Sequence, residues 1–125
     1  MEQHPKILIV DDNALMRTLM SNILKKLISF SDLKQASNLD DAFSILRQDS
    51  FDLLLLDINM PTGDSSPETV ALIKEMQPAL EVCMFSGNDK TSIAQRFLDA
   101  GAIGFIQKDN TMSNSAADVV KMVFG

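Results

Sequence analysis

Phe51-Asp52-Leu53-Leu54-Leu55-Leu56-Asp57-Ile58-Asn59-Met60-Pro61 is the stretch that decides the fold. Its four consecutive leucines show no alternation. A strand built from them is buried on both faces, as in a parallel sheet covered by helices. The run stops on an aspartate, and Pro61 soon ends regular structure. Asp57 is therefore expected at the carboxyl end of a central strand, the edge of an open α/β sheet where ligands bind. A lone carboxylate at such an edge is most often only solvated, so what matters is what else reaches that edge.

Toward the N-terminus, Lys6-Ile7-Leu8-Ile9-Val10 predicts a buried first strand ending on Asp11-Asp12. Asn13 is placed to cap a helix with the apolar stripe Met16, Leu19, Met20, Ile23, Leu24 and Leu27. Leu15 lies beside that stripe and Arg17 outside it. Phe30 to Ser37, broken up by Asp32 and Lys34, predicts an edge strand. Asn38 is placed to cap a second helix with Leu39, Ala42, Phe43 and Leu46 inward.

Toward the C-terminus, Thr62-Gly63-Asp64-Ser65-Ser66 predicts a polar loop. Ser65 and Glu68 have capping-box spacing, and Pro67 suits the first turn of a helix facing Val70, Ile73 and Met76 inward. Val82-Cys83-Met84-Phe85 predicts a fourth strand ending on Ser86-Gly87-Asn88. A helix from about Asp89 to Asp99 follows, with Ile93, Ala94, Phe97 and Leu98 on one side and Gly101 as its left-handed stop. Ile103-Gly104-Phe105-Ile106-Gln107 predicts strand five, ending on Lys108. Thr111 is the expected cap of a last helix striped by Ala116, Val119, Val120 and Val123.

Five strand–helix pairs in strict alternation predict an α/β fold: a flavodoxin-like (βα)5 three-layer sandwich around a parallel five-stranded sheet of order 2-1-3-4-5. That order keeps the apolar strands one, three and four inside and the interrupted second strand at the edge. The 125 residues suffice for one domain with a real core, and a hydrophobic content of 46% argues against disorder. A net charge of −6 argues against direct, sequence-independent nucleic-acid binding. A single cysteine, Cys83, fits a reducing compartment, and no signal peptide or membrane span is legible, so a cytoplasmic location is expected.

All strand ends of a parallel sheet share one edge. Asp11-Asp12, Asp57, Ser86 and Lys108 therefore converge, bringing three carboxylates, a hydroxyl and an ammonium group together. Three close carboxylates repel one another, and a hard divalent cation relieves this; oxygen-only ligands point to Mg²⁺. Such a site attracts a phosphoryl group, which the Asp57 carboxylate can accept as an acyl phosphate. Lys108 would supply further charge and Ser86 a hydrogen bond.

The chain resembles the receiver domain of bacterial two-component response regulators over residues 1–125. The resemblance rests on Val10-Asp11-Asp12-Asn13, Leu56-Asp57-Ile58-Asn59-Met60-Pro61, Ser86-Gly87, Ala100-Gly101-Ala102, Gly104-Phe105 and Lys108. It implies that Asp57 accepts a phosphoryl group from a histidine kinase or a histidine phosphotransfer protein. It assigns Asp11, Asp12, Asp57 and the backbone carbonyl of Asn59 to Mg²⁺, Lys108 to the phosphate, and Ser86 with Phe105 to a switch. It implies a signalling switch rather than an enzyme, at most one that catalyses its own phosphorylation and dephosphorylation. Leu15 is expected on the surface that docks the phosphodonor. The face made by the fourth helix, fifth strand and fifth helix is expected to bind a downstream protein or a second copy. Two positions depart from the family pattern. Asp109 follows Lys108 where proline is usual, as in receivers that precede a helix-turn-helix DNA-binding domain, although no such output domain is present here. Ser65 stands where glycine is usual, which bears on the loop's conformation.

Two other functions share parts of this pattern. A flavin carrier needs a phosphate-cradling loop after strand one, where Asp11-Asp12 would repel it, and the chain lacks Trp and Tyr for stacking. An aspartate phosphatase typically has a second acid two residues after its nucleophile, where this chain has Asn59.

Overall fold

The computed structural model describes residues 5–28, 31–58, 65–86 and 94–125. In chain order the elements are β1 (Lys6–Val10), α1 (Ala14–Leu27), β2 (Asp32–Ala36), α2 (Leu39–Gln48), β3 (Leu53–Asp57), α3 (Pro67–Met76), β4 (Glu81–Ser86), α4 (Ala94–Ala100), β5 (Ala102–Gln107) and α5 (Met112–Phe124). The strands form one sheet of order β2-β1-β3-β4-β5, and every neighbouring pair is parallel. This is the predicted topology. Leu53 to Leu56 are essentially inaccessible, as a run without alternation requires.

Each face of the sheet has its own core. Ile7, Ile9, Leu53, Leu55, Cys83, Phe85 and Ile106 pack beneath α1 and α5, with Met20, Leu24, Ala116 and Val119. Leu8, Val10, Leu54, Leu56, Val82 and Met84 pack beneath α2, α3 and α4, with Ala42, Leu46, Val70, Ile73 and Phe97. Cys83 behaves as a small buried hydrophobe, and burial pushes its thiol up to about 12. At the amino edge of the sheet, Lys6 and Lys34 pair with Asp49, and the Gln77 side-chain amide donates to the carbonyls of Leu46 and Asp49, both at 2.8 Å. That edge is tied up structurally.

Local predictions hold where one hydrogen bond decides them. The Asn13 side chain accepts from the backbone N–H groups of Leu15 and Met16, and that of Asn38 accepts from Asp41. Four expectations need correction. The capping box at α3 is built by Ser66 and Thr69 rather than Ser65 and Glu68: Thr69 N donates to Ser66 Oγ at 3.3 Å, and Ser66 N donates to Thr69 Oγ1 at 3.0 Å. Ser65 is engaged elsewhere. Thr111 makes no side-chain cap to α5; its hydroxyl donates to Asp109 Oδ1 at 2.6 Å. The α1 stripe is also narrower than predicted. Leu19 and Leu27 are exposed, whereas Ser21 is buried and accepts from the Gln35 amide at 3.0 Å.

Leu98, expected beside Phe97 on the inner side of α4, is exposed. Phe30, Ile93 and the residues expected to start α4 lie outside the described residues. Gly101 ends α4 with φ +120°, and a Cβ there would lie 3.3 Å from Lys74 Cγ. Gly101→Ala is expected to destabilise the fold by about 1–2 kcal/mol, measured as a lower urea midpoint at unchanged slope.

Candidate functional site

Strand parity sets up the site. Alternate side chains along a strand point to one face. Asp11 continues the alternation of Ile7 and Ile9, Asp57 that of Leu53 and Leu55, and Lys108 that of Ile106. All three leave the carboxyl edge on the side of α1 and α5. There they meet: Lys108 Nζ lies 2.7 Å from Asp11 Oδ2 and 3.2 Å from Asp57 Oδ1. The same ammonium sits 4.9 Å from the centroid of the Phe85 ring. Asp11 and Asp57 are buried, and Asp12 is exposed at the rim. One carboxylate oxygen from each of the three lies within 4.8 Å of the others.

The charges do not balance among these groups. Three carboxylates face one ammonium, leaving two formal negative charges. Burying carboxylates is costly unless each is compensated. A hard divalent cation matches both that excess and the all-oxygen donor set. Asn59, the further ligand implied by the sequence, lies outside the described residues.

The backbone beneath these side chains is braced by residues the sequence reading gave no catalytic or binding role. Asn13 N donates to Asp11 Oδ1 at 2.9 Å, and Asp11 N donates to the Ala36 carbonyl at 3.1 Å. Arg17 Nη1 donates to the Asp11 carbonyl at 2.7 Å, while its Nε donates to Gln35 Oε1 at 3.1 Å. Arg17 thus joins the acidic edge to β2. No spacing rule could have found it, because its side-chain partner is 18 residues away on another element. Ser65 Oγ donates to the Asp57 carbonyl at 2.7 Å, and Ser65 N donates to the Ile58 carbonyl at 2.7 Å.

Ser86 closes β4 and is fully buried. It shares the parity of Met84 and so faces the side of α2, α3 and α4. Lys108 N donates to its carbonyl at 2.8 Å. A register shift between β4 and β5 places Phe105 opposite Met84 and Gln107 opposite Ser86. Phe105 is half-buried against the same core, so Ser86 and Phe105 share one face of adjacent strands, two positions apart in register. Leu15 is 64% exposed, off the buried stripe of α1.

The sequence matches the response regulator receiver domain family over residues 7–119. It is 31% identical over 121 residues to a glycerol metabolism activator of Pseudomonas putida, covering 96% of this chain and 54% of that protein. It is 28% identical over 103 residues to the response regulator GacA of Pseudomonas aeruginosa, covering 82% and 48%. The chain spans about half the length of these curated relatives. A CheY-like receiver domain protein of Methanospirillum hungatei superposes with a TM-score of 0.84 at 21% identity, over 97% of this chain and 94% of that one, which shows a common fold.

Proposed function

The chain belongs to the response regulator receiver domain family, and from that premise we propose that Asp57 is the phosphoacceptor of a phosphorylation-dependent signalling switch. Receiver domains are phosphoacceptor switches of two-component signalling rather than enzymes, and the family uses Mg²⁺. The observation that carries the residue assignment is the shared ammonium: Lys108 reaches Asp11 and Asp57 at once, beside Asp12, at the carboxyl edge of the sheet.

Asp11, Asp12 and Asp57, with the Asn59 carbonyl, would hold Mg²⁺, which would supply charge neutralisation at the phosphoryl oxygens. An Asp57 carboxylate oxygen attacks phosphorus. The bond from phosphorus to the donor's imidazole nitrogen breaks, and its electron pair stays on the imidazole. Lys108 exchanges a carboxylate partner for a phosphoryl oxygen, and Ser86 donates its hydroxyl to another. Incubation with acetyl phosphate and Mg²⁺ is expected to add one phosphoryl mass that hydroxylamine removes, as it does from an acyl phosphate. No gain, or a gain indifferent to Mg²⁺, overturns the reading.

A receiver domain implies a histidine kinase partner. The transfer partner here is that kinase or a histidine phosphotransfer protein, docked over the start of α1. Leu15→Ala is expected to slow transfer from the cognate partner about three- to tenfold, as loss of one buried apolar contact does, and to leave phosphorylation by acetyl phosphate intact. Equal slowing of both would mark a folding defect instead.

Output runs through Ser86 and Phe105 to the α4-β5-α5 face, which receives a downstream protein or a second copy. One charge-assisted hydrogen bond from Ser86 contributes about 1.5–3 kcal/mol, within the range of a typical coupling free energy of about 1–3 kcal/mol. Backbone NMR shifts on adding a beryllofluoride mimic are expected to spread from Asp57 through Phe105 to α5. Silence from residue 94 onward would remove the switch and leave the phosphoacceptor. Residues 1–125 are read as one receiver unit whose effect is passed on by protein contacts rather than direct contact with nucleic acid; the curated relatives include transcription regulators. Among the described residues no helix is long and apolar enough to cross a membrane; the cytoplasmic location we assign rests on the family.

A further inference from the structure

Ser65 is 4% exposed and follows the acceptor by eight residues. Its hydroxyl donates to the carbonyl of Asp57 and its backbone N–H to the carbonyl of Ile58, each at 2.7 Å. Two successive peptide planes at the exit of β3 are thus held by one residue. Ser65 has no positive φ, so the position does not itself demand glycine. Glycine would retain the backbone bond but lose the one made by the hydroxyl. The local sequence sharpens the point, because Ser66 takes the capping role that Ser65 could have filled. The Ser65 hydroxyl donates its proton to the acceptor's own carbonyl.

We propose that Ser65 is a positioning residue for the phosphoacceptor: its hydroxyl fixes the Asp57–Ile58 peptide and so aims the Asp57 carboxylate into the cluster with Asp11, Asp12 and Lys108. The proposal rests on the phosphoacceptor reading of Asp57. With the carbonyl held, rotation about the Asp57 Cα–C bond is restricted. The side chain is restrained from the opposite direction by Lys108 at 3.2 Å. Acceptor geometry is then set before metal or donor arrives, which is what rapid transfer requires when positioning dominates. Ser65 touches neither phosphorus nor metal in this scheme and acts only through Asp57.

The test compares wild type with Ser65→Ala, Ser65→Gly and Ser65→Thr. Mg²⁺ affinity is measured by calorimetry, the acetyl phosphate rate at saturating Mg²⁺ by mass, and the melting midpoint without metal. Ser65→Ala and Ser65→Gly are expected to weaken Mg²⁺ binding and slow phosphorylation about three- to tenfold each, the equivalent of one neutral hydrogen bond. Ser65→Thr, which keeps the hydroxyl, restores the rate toward wild type. A rate and affinity within twofold of wild type in either hydroxyl-free variant overturns the proposal. So does a Ser65→Thr variant that melts like wild type yet is as slow as Ser65→Ala. If Ser65→Ala does not fold, Ser65→Gly decides alone. A wild-type protein that takes up no phosphoryl group would instead remove the phosphoacceptor reading, so the two failures are distinguishable.

Discussion

Asp57→Asn is expected to take up no phosphoryl group from acetyl phosphate, with or without Mg²⁺. The amide is nearly isosteric with the carboxylate but offers no anionic oxygen to attack phosphorus. Asp57 is also the buried carboxylate that shares Lys108 with Asp11. Neutralising it removes one of the two buried negative charges that face Lys108. The metal-free variant is therefore expected to melt no lower than wild type, which separates lost chemistry from lost fold. Mass spectrometry of the intact protein reads the first result and a thermal melt the second. A mass gain that persists in Asp57→Asn would place the acceptor elsewhere.

Asp12→Ala and Lys108→Ala are expected to differ in their effect on Mg²⁺. Asp12 is the exposed carboxylate of the cluster and has an oxygen within 4.8 Å of its two partners. Removing it takes away one of three anionic donors, and affinity is expected to fall at least about tenfold. Lys108 occupies the same carboxylate oxygens that a metal would use, at 2.7 and 3.2 Å. Its removal is expected to leave Mg²⁺ affinity at or above the wild-type level. Phosphorylation by acetyl phosphate is nevertheless expected to slow in Lys108→Ala by about 10²–10³, since a charge aimed at the phosphoryl oxygens would be lost. Calorimetric titration suits a chain without Trp or Tyr. Equal affinities for wild type and Asp12→Ala would take Asp12 out of the metal shell. Weaker binding by Lys108→Ala would show that the lysine organises the carboxylates rather than competing for them.

Much of the site is legible in the sequence. Leu53 to Leu56 required burial on both faces, and that placed Asp57 at a strand end. Strand ends give only a common edge; the common face follows from period-two alternation from Ile9 to Asp11, Leu55 to Asp57 and Ile106 to Lys108. The bracing contacts were not legible. Arg17 was set outside the apolar stripe, yet its guanidinium binds the Asp11 carbonyl. A stripe reports which residues avoid water, not which polar groups meet.

What the sequence by itself determined is the number and order of strands, the sheet they form and the edge to which Asp11, Asp12, Asp57, Ser86 and Lys108 run. Hydrophobic periodicity is local, and the handedness of strand–helix–strand crossovers leaves few topologies to choose from. Tertiary structure alone decided the partners of single polar groups. Ser65 could have capped α3, but its hydroxyl went to Asp57 and the cap fell to Ser66. Thr111 could have capped α5, but Asp109 took its hydroxyl. Lys108 could have pointed to water, but it settled between Asp11 and Asp57. A hydroxyl turns to the partners that lie within its reach, and an ammonium settles where negative charge is concentrated. Which acceptor wins depends on distances between residues far apart in the chain, and those exist only once the sheet has formed.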